Sequence, residues 1–137
     1  MRARAVLDAS AAVHLVLQQS HARILASFLQ DAWIVTTPDL FASEVANSLL
    51  KYVRHGDLSA ETASLRLEEA LGLIDSTTAG RALVQEVLLT AAKRQDSAYD
   101  LMYAILARRS GATVVTMDRR FALSLKEMDL PVFCPLF

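Results

Sequence analysis

Short apolar runs alternate along the chain with longer stretches whose apolar residues recur three and four apart, a pattern that predicts strands alternating with helices. Ala5-Val6-Leu7 is such a run and ends on Asp8; Val13, Val16 and Leu17 follow at helical spacing in an alanine-rich stretch. Ser20 is a candidate cap for a helix with Ile24, Leu25, Phe28 and Leu29 on one face, and Trp33 to Thr36 has the aromatic and β-branched content of a second strand. Thr37-Pro38 predicts the next helix start, because proline at the first helical position loses no hydrogen bond. Leu40, Val45, Leu49 and Val53 give that helix an apolar side, and Gly56 ends it.

Ser59 opens a further helix with Glu61 in its first turn and Leu65, Leu67, Leu71 and Ile74 on its buried side; Gly72 blurs its last turn. Asp75 to Gly80 reads as a turn, after which Leu83, Val84, Val87, Leu88, Ala91 and Ala92 repeat at helical spacing. Ser97 caps a helix through Asp100, Tyr103, Ala104 and Ala107 to a stop at Gly111. Ala112 to Thr116 is a buried strand, a short helix starts at Arg119, and Pro131 to Phe133 is extended. Strands alternating with helices imply a parallel sheet covered on both faces, an α/β sandwich.

The 137 residues fit one domain, 1–137, without a repeat or linker. Hydrophobic residues make up 53% of the chain and the mean hydropathy is +0.30, more than so small an interior needs, which predicts apolar surface covered by a partner or a second copy, with a homodimer expected. No uncharged apolar run reaches the ~20 residues of a membrane span, and the start leads directly into a strand, so a soluble, cytoplasmic, uncleaved protein is expected. Cys134, the single cysteine, cannot make an internal disulfide or a thiolate cluster and reads as a small buried hydrophobe. With 14 basic and 15 acidic residues the net charge is −1, so whole-molecule attraction to a polyanion is not evident and any nucleic-acid binding must be local. A local basic bias remains in Arg108, Arg109, Arg119, Arg120 and Lys126, where Asp118 is the one acid.

The candidate chemistry is carboxylate chemistry. In open parallel sheets ligands bind beyond the carboxyl ends of the strands, and Asp8 and Asp118 each follow a predicted strand. Each is also suited to capping the helix that follows. Glu44 lies within the helix after Pro38, with Asn47 three residues on and on the same face. Asp100 falls in the first turn of its helix, where the helix dipole by itself accommodates an acid, and Asp96 competes for the same role from a more polar turn. Two carboxylates ~4 Å apart repel by about 4 kcal/mol at an effective dielectric near 20, so a cluster must hold a proton or a cation. Oxygen ligands with no histidine or cysteine at ligand spacing favour Mg²⁺ or Mn²⁺ over zinc; His14, His21 and His55 are scattered and read as surface or cap residues.

Four ordered pieces carry a family resemblance: Val6-Leu7-Asp8-Ala9-Ser10, Ser43-Glu44-Val45-Ala46-Asn47-Ser48-Leu49, Ala98-Tyr99-Asp100-Leu101-Met102-Tyr103 and Val115-Thr116-Met117-Asp118-Arg119-Arg120-Phe121. Together they resemble PIN-domain nucleases and, within them, the VapC toxins of prokaryotic toxin–antitoxin pairs. The resemblance implies a three-layer α/β/α sandwich with a sheet of four to five strands, the fifth falling on the strand-poor segment Ser76 to Gly80. It carries an acidic quartet onto Asp8, Glu44, Asp100 and Asp118 as catalytic and metal-holding residues, with Ser10, Asn47 and Thr116 in support and Arg119 and Arg120 as phosphate contacts. It further implies an endoribonuclease using Mg²⁺ or Mn²⁺, leaving a 5′-phosphate and a 3′-hydroxyl, with RNA as substrate and a VapB-like antitoxin as partner.

A non-catalytic RNA-binding or scaffold module is the alternative, but an inactive relative would be expected to lose an acid and none is missing. Phosphoryl transfer through Asp8 is disfavoured by Ser10, which stands where haloacid-dehalogenase-like phosphatases place a second aspartate, and the four glycines form no phosphate-cradling loop.

Overall fold

The computed structural model describes residues 2–137. Its elements in chain order are β1 (Arg4–Leu7), α1 (Ala9–Val16), α2 (Ala22–Asp31), β2 (Ile34–Pro38), α3 (Phe41–Arg54), α4 (Ala60–Leu71), β3 (Ser76–Thr78), a 3-10 turn (Gly80–Ala82), α5 (Val84–Ala91), α6 (Ala98–Ser110), β4 (Thr113–Val115), α7 (Arg119–Glu127) and β5 (Val132–Phe133). The five strands form one parallel sheet in the order β3-β2-β1-β4-β5. Helices α1 to α4 pack on one another in one layer, and α6, with α5 on it, crosses β1, β2 and β4 in the other, which makes a three-layer α/β/α sandwich.

Burial explains why β1 reads as an unbroken apolar run. Ala5, Val6 and Leu7 are completely buried because helices cover both faces of the central strand. In register, Val6 sits between Thr36 of β2 and Val114 of β4. The chain adds β2 and β3 on one side of β1, then returns to the other side for β4 and β5, so the direction of winding reverses between β1 and β4. A crevice at the carboxyl ends of the strands opens at that reversal.

The turn expected over Asp75 to Gly80 contains the fifth strand. Ser76, Thr77 and Thr78 pair with Thr36, Thr37 and Pro38, but this is an exposed polar edge strand and carries no apolar signature. Pro38 is not the first residue of a helix: it ends β2, and α3 starts three residues later at Phe41. The Ser20 side chain does not cap α2, whose cap position is His21; the Ser20 hydroxyl instead lies 3.1 Å from His21 Nδ1. On α4 the buried residues are Ala63 and Ala70, with Leu67 partly buried, whereas Leu65 and Leu71 are exposed. On α5, Val87 is buried beside the preceding Leu83, while Val84 and Leu88 face outward. Cys134 is buried, as its neighbours suggested. Among the described residues no helix is long and apolar enough to cross a membrane.

Helix α6 ends where its sequence says it should. Gly111 adopts φ 64° and ψ 37°, and Ala112 N–H closes the last turn on Ala107 O at 2.9 Å. A Cβ at Gly111 would meet no atom within 4 Å, so the cost of adding one is backbone strain alone. Gly111→Ala is therefore expected to lower the unfolding free energy by about 1 kcal/mol, seen as a lower urea midpoint with an unchanged slope. An unchanged midpoint would contradict this account of the helix stop.

Candidate active site

Asp8 leaves the end of β1 with its backbone N–H donating to Val115 O of β4 at 2.9 Å, and its carboxylate is drawn into the crevice between the two strands, 8% exposed. Its Oδ2 accepts hydrogen bonds from Ser10 Oγ and from Thr116 Oγ1, both at 2.7 Å. Each hydroxyl has one hydrogen, and both are spent on Asp8, so the 3.1 Å between Ser10 Oγ and Thr116 Oγ1 is a close contact of two acceptors. Their lone pairs are filled from the backbone, Ser10 Oγ by Met117 N–H and Thr116 Oγ1 by Asp118 N–H, each at 3.0 Å. One side of the Asp8 carboxylate is thus saturated, and among the described residues Oδ1 has no donor.

The capping alternatives resolve differently for the two strand-end acids. Asp8 occupies the cap position of α1 but makes no side-chain cap bond, so its carboxylate is committed to the crevice. Asp118 does cap α7, its Oδ1 accepting from Phe121 N–H at 3.1 Å. Asp100 lies in the first turn of α6, which Ser97 caps through Asp100 N–H at 3.1 Å. Glu44 lies in the first turn of α3, and its Oε1 accepts a 2.6 Å hydrogen bond from the hydroxyl of Tyr103 on α6. All four acids therefore stand at helix starts, where the partial positive charge of the helix end favours carboxylates.

The four are within electrostatic reach of one another. Burial pushes the Asp8 carboxyl up from 3.8 to about 6 against the hydrogen bonds of Thr116 and Ser10, with the charges of Glu44 and Asp118 adding to the rise. Asp100 is also pushed up to about 6, by burial first and then by Asp8, Asp118 and Glu44. Tyr103 is driven well above the usual phenol range by burial and the nearby charges of Asp8 and Glu44, so it stays protonated and a hydrogen-bond donor. Among the described residues no three Asp, Glu, His or Cys side chains stand close enough to enclose an ion. The acids line a shared region without forming a ready-made cage.

A cleft of about 330 Å³ opens beside them, lined by Asp96, Ser97, Asp100, Asp118, Arg120 and Ser124 among others. Asp96 is held by Arg94 at 2.5 Å. Burial opposes its ionisation, but hydrogen bonds from Ser124 and Arg94 outweigh it and keep the carboxyl below its usual range. Asp100 has no such cation partner among the described residues.

Of the supporting residues, Ser10 and Thr116 bond Asp8 directly. Asn47 is exposed and makes no side-chain hydrogen bond among the described residues, so it is not joined to Glu44. Arg120 lines the cleft, whereas Arg119 lies over the Phe137 ring at 5.5 Å, with Lys126 over the same ring at 3.9 Å. Arg108 and Arg109 pair with Glu86 at 2.7 and 2.8 Å, so much of the local basic bias is compensated within the fold. His14 accepts the backbone N–H of His21, a local structural role. Sequence reasoning passed over Tyr103 and Arg94 as site residues. Tyr103 was recoverable from its position three residues after Asp100, on the same helix face.

Comparison with known proteins places this chain in a family. The model of the PIN domain matches residues 5–123. Ribonuclease VapC3 of Pyrobaculum aerophilum is 31% identical over 128 residues, covering 92% of this chain and 98% of that protein. The crystal structure of PAE2754 from Pyrobaculum aerophilum matches with a TM-score of 0.72 at 27% identity, over 90% of this chain and 86% of that one. FitAcB from Neisseria gonorrhoeae shares the fold with a TM-score of 0.65 at 17% identity, over 96% and 98% of the two chains. So does VapC20 of Mycobacterium tuberculosis, described as a Sarcin-Ricin loop cleaving toxin, at 0.58 and 15% identity over 88% and 94%.

The raised Asp8 carboxyl sets a pH dependence. A folded-state value above the unfolded one means that the native state holds the proton more tightly, so this contribution is complete below about pH 4 and is lost as the pH rises through about 6. For Asp8 the displacement is worth roughly 3 kcal/mol. In chelator-treated protein, Asp8→Asn is expected to be more stable than the wild type at pH 7.5, with the gap closing toward pH 5. Urea melts at both pH values check this, and a gap that widens on acidification would refute it.

Proposed function

The chain belongs to the PIN-domain family as a relative of the VapC proteins, and from that membership we propose that it is a Mg²⁺- or Mn²⁺-dependent endoribonuclease, the cytoplasmic toxin of a type II toxin–antitoxin pair. The observation that carries the proposal is the grouping of Asp8, Glu44, Asp100 and Asp118 at the strand ends, with Asp8 and Asp100 pushed up to about 6. Acids in that condition gain from a cation among them. The donor set is all carboxylate, which fits a hard divalent ion such as Mg²⁺ or Mn²⁺.

Asp8 Oδ1, Asp100, Glu44 and Asp118 are the groups that would hold the ion. When bound, such an ion supplies Lewis acidity toward water and phosphate oxygen. Ser10 and Thr116 fix the Asp8 carboxylate in one orientation, so its free oxygen is presented without reorganisation. Arg120, which lines the cleft with Asp100 and Asp118, would bind a phosphate of the RNA strand. In the hydrolysis, a water oxygen bonds to phosphorus as the bond to O3′ breaks. The water's proton ends on the departing 3′-oxygen, leaving a 5′-phosphate and a 3′-hydroxyl.

A VapB-like antitoxin is the protein partner proposed from the relationship to VapC. A homodimer is proposed from the exposed apolar residues Val84, Leu88 and Leu89 of α5, which a second copy would cover.

Asp8→Asn and Asp100→Asn are each expected to abolish RNA cleavage while keeping the far-UV circular dichroism of the wild type; full activity in either removes that acid from the site. Millimolar Mg²⁺ or Mn²⁺ is expected to raise the melting temperature of the wild type and to have less effect on Asp8→Asn. A wild-type melting curve indifferent to both ions would count against a metal site. Light scattering should return the mass of two chains, and a monomer mass would refute the dimer.

A further inference from the structure

We propose that Tyr103 is a positioning residue for Glu44, its hydroxyl fixing the orientation in which that carboxylate meets a divalent ion; this rests on the reading that Glu44 is one of the ion's ligands. Tyr103 is the largest fully buried side chain of the protein, at 1% exposure. Its ring fills the core beneath the site, a task that phenylalanine would perform equally well. The hydroxyl is what the packing leaves unexplained, and its partner is Glu44 Oε1 at 2.6 Å, the short distance of a hydrogen bond to an ionised oxygen.

The same arrangement recurs around the crevice. Asp8 has one oxygen occupied by Ser10 and Thr116, and Asp118 has one occupied by Phe121 N–H. Glu44 has one occupied by Tyr103, which leaves Oε2 as the ligand oxygen. Glu44 is also the member most in need of restraint, because its longer side chain has one more rotatable bond than an aspartate and springs from a partly buried position on α3. The bond joins α6 to α3 across 59 residues of sequence, so the helix that carries Asp100 also sets the second acid.

Calorimetric titration of Mn²⁺ into the full chain tests the proposal, using the wild type, Tyr103→Phe, Glu44→Gln and the double variant. Tyr103→Phe is expected to bind Mn²⁺ about 10-fold more weakly or worse. Its metal-free circular dichroism should match the wild type, and its RNA cleavage should recover as Mn²⁺ is raised. The double variant should bind no more weakly than Glu44→Gln alone, because the hydroxyl acts through that carboxylate. In that background no buried charge is left unpaired, so the comparison holds even if Tyr103→Phe alone folds poorly. If Tyr103→Phe titrates like the wild type while Glu44→Gln is weakened, or if the two losses simply add, the positioning role is overturned and the metal reading stands. If Glu44→Gln titrates like the wild type, Glu44 is not a ligand and both fall.

Discussion

The site depends on keeping a carboxylate out of water at the one place where the sheet reverses its winding. Asp8 sits there, and an ionised group so buried is costly unless its lone pairs are met. Ser10 and Thr116 meet those of one oxygen, and they can do so because two backbone amides fill the acceptor sites that the hydroxyls would otherwise leave empty. This closed set of bonds clips the end of β1 to the end of β4. It commits one oxygen of Asp8 to the fold and leaves the other, Oδ1, without a donor among the described residues.

The remaining acids are tolerated because each stands at the start of a helix. The partial positive charge at each of the four helix ends offsets part of the repulsion. Burial first, and the repulsion that remains second, keep the carboxyls of Asp8 and Asp100 raised. Asp96 shows the other solution open to an acid at this cleft, neutralisation by its own arginine. The two aspartates of that turn thus divide between an internal ion pair and a group left open to solvent and ligand.

Strand ends and buried helices were legible in the sequence because apolar runs and glycine stops have direct physical causes, as at Ala5 to Leu7 and at Gly111. The misreadings cluster where polar residues take structural positions. Ser76 to Thr78 forms a strand through backbone pairing at an edge, with no apolar face to announce it, and Pro38 closes a strand because the turn to α3 follows it. Leu65 and Leu71 fit helical spacing yet point outward, since alanines make the closer approach on α4. At the site, Asp8 and Asp118 followed from strand-end geometry, whereas Glu44 and Asp100 needed the family resemblance to stand out from ordinary helix-start acids. Tyr103 was passed over because a tyrosine on an apolar helix face reads as filler, although its spacing from Asp100 sets it on the same face and the structure adds its bond to Glu44 of α3.

The clip between Ser10 and Thr116 spans 106 residues of chain. During synthesis, Asp8 emerges 108 residues before Thr116 and must wait for β4 before its carboxylate can be sheltered. Any chain cut short before Thr116 lacks the clip and the last acid together. A half-made site is thus ruled out by the topology, because Asp8 stays unsheltered until the strand that leads to Thr116 has followed it.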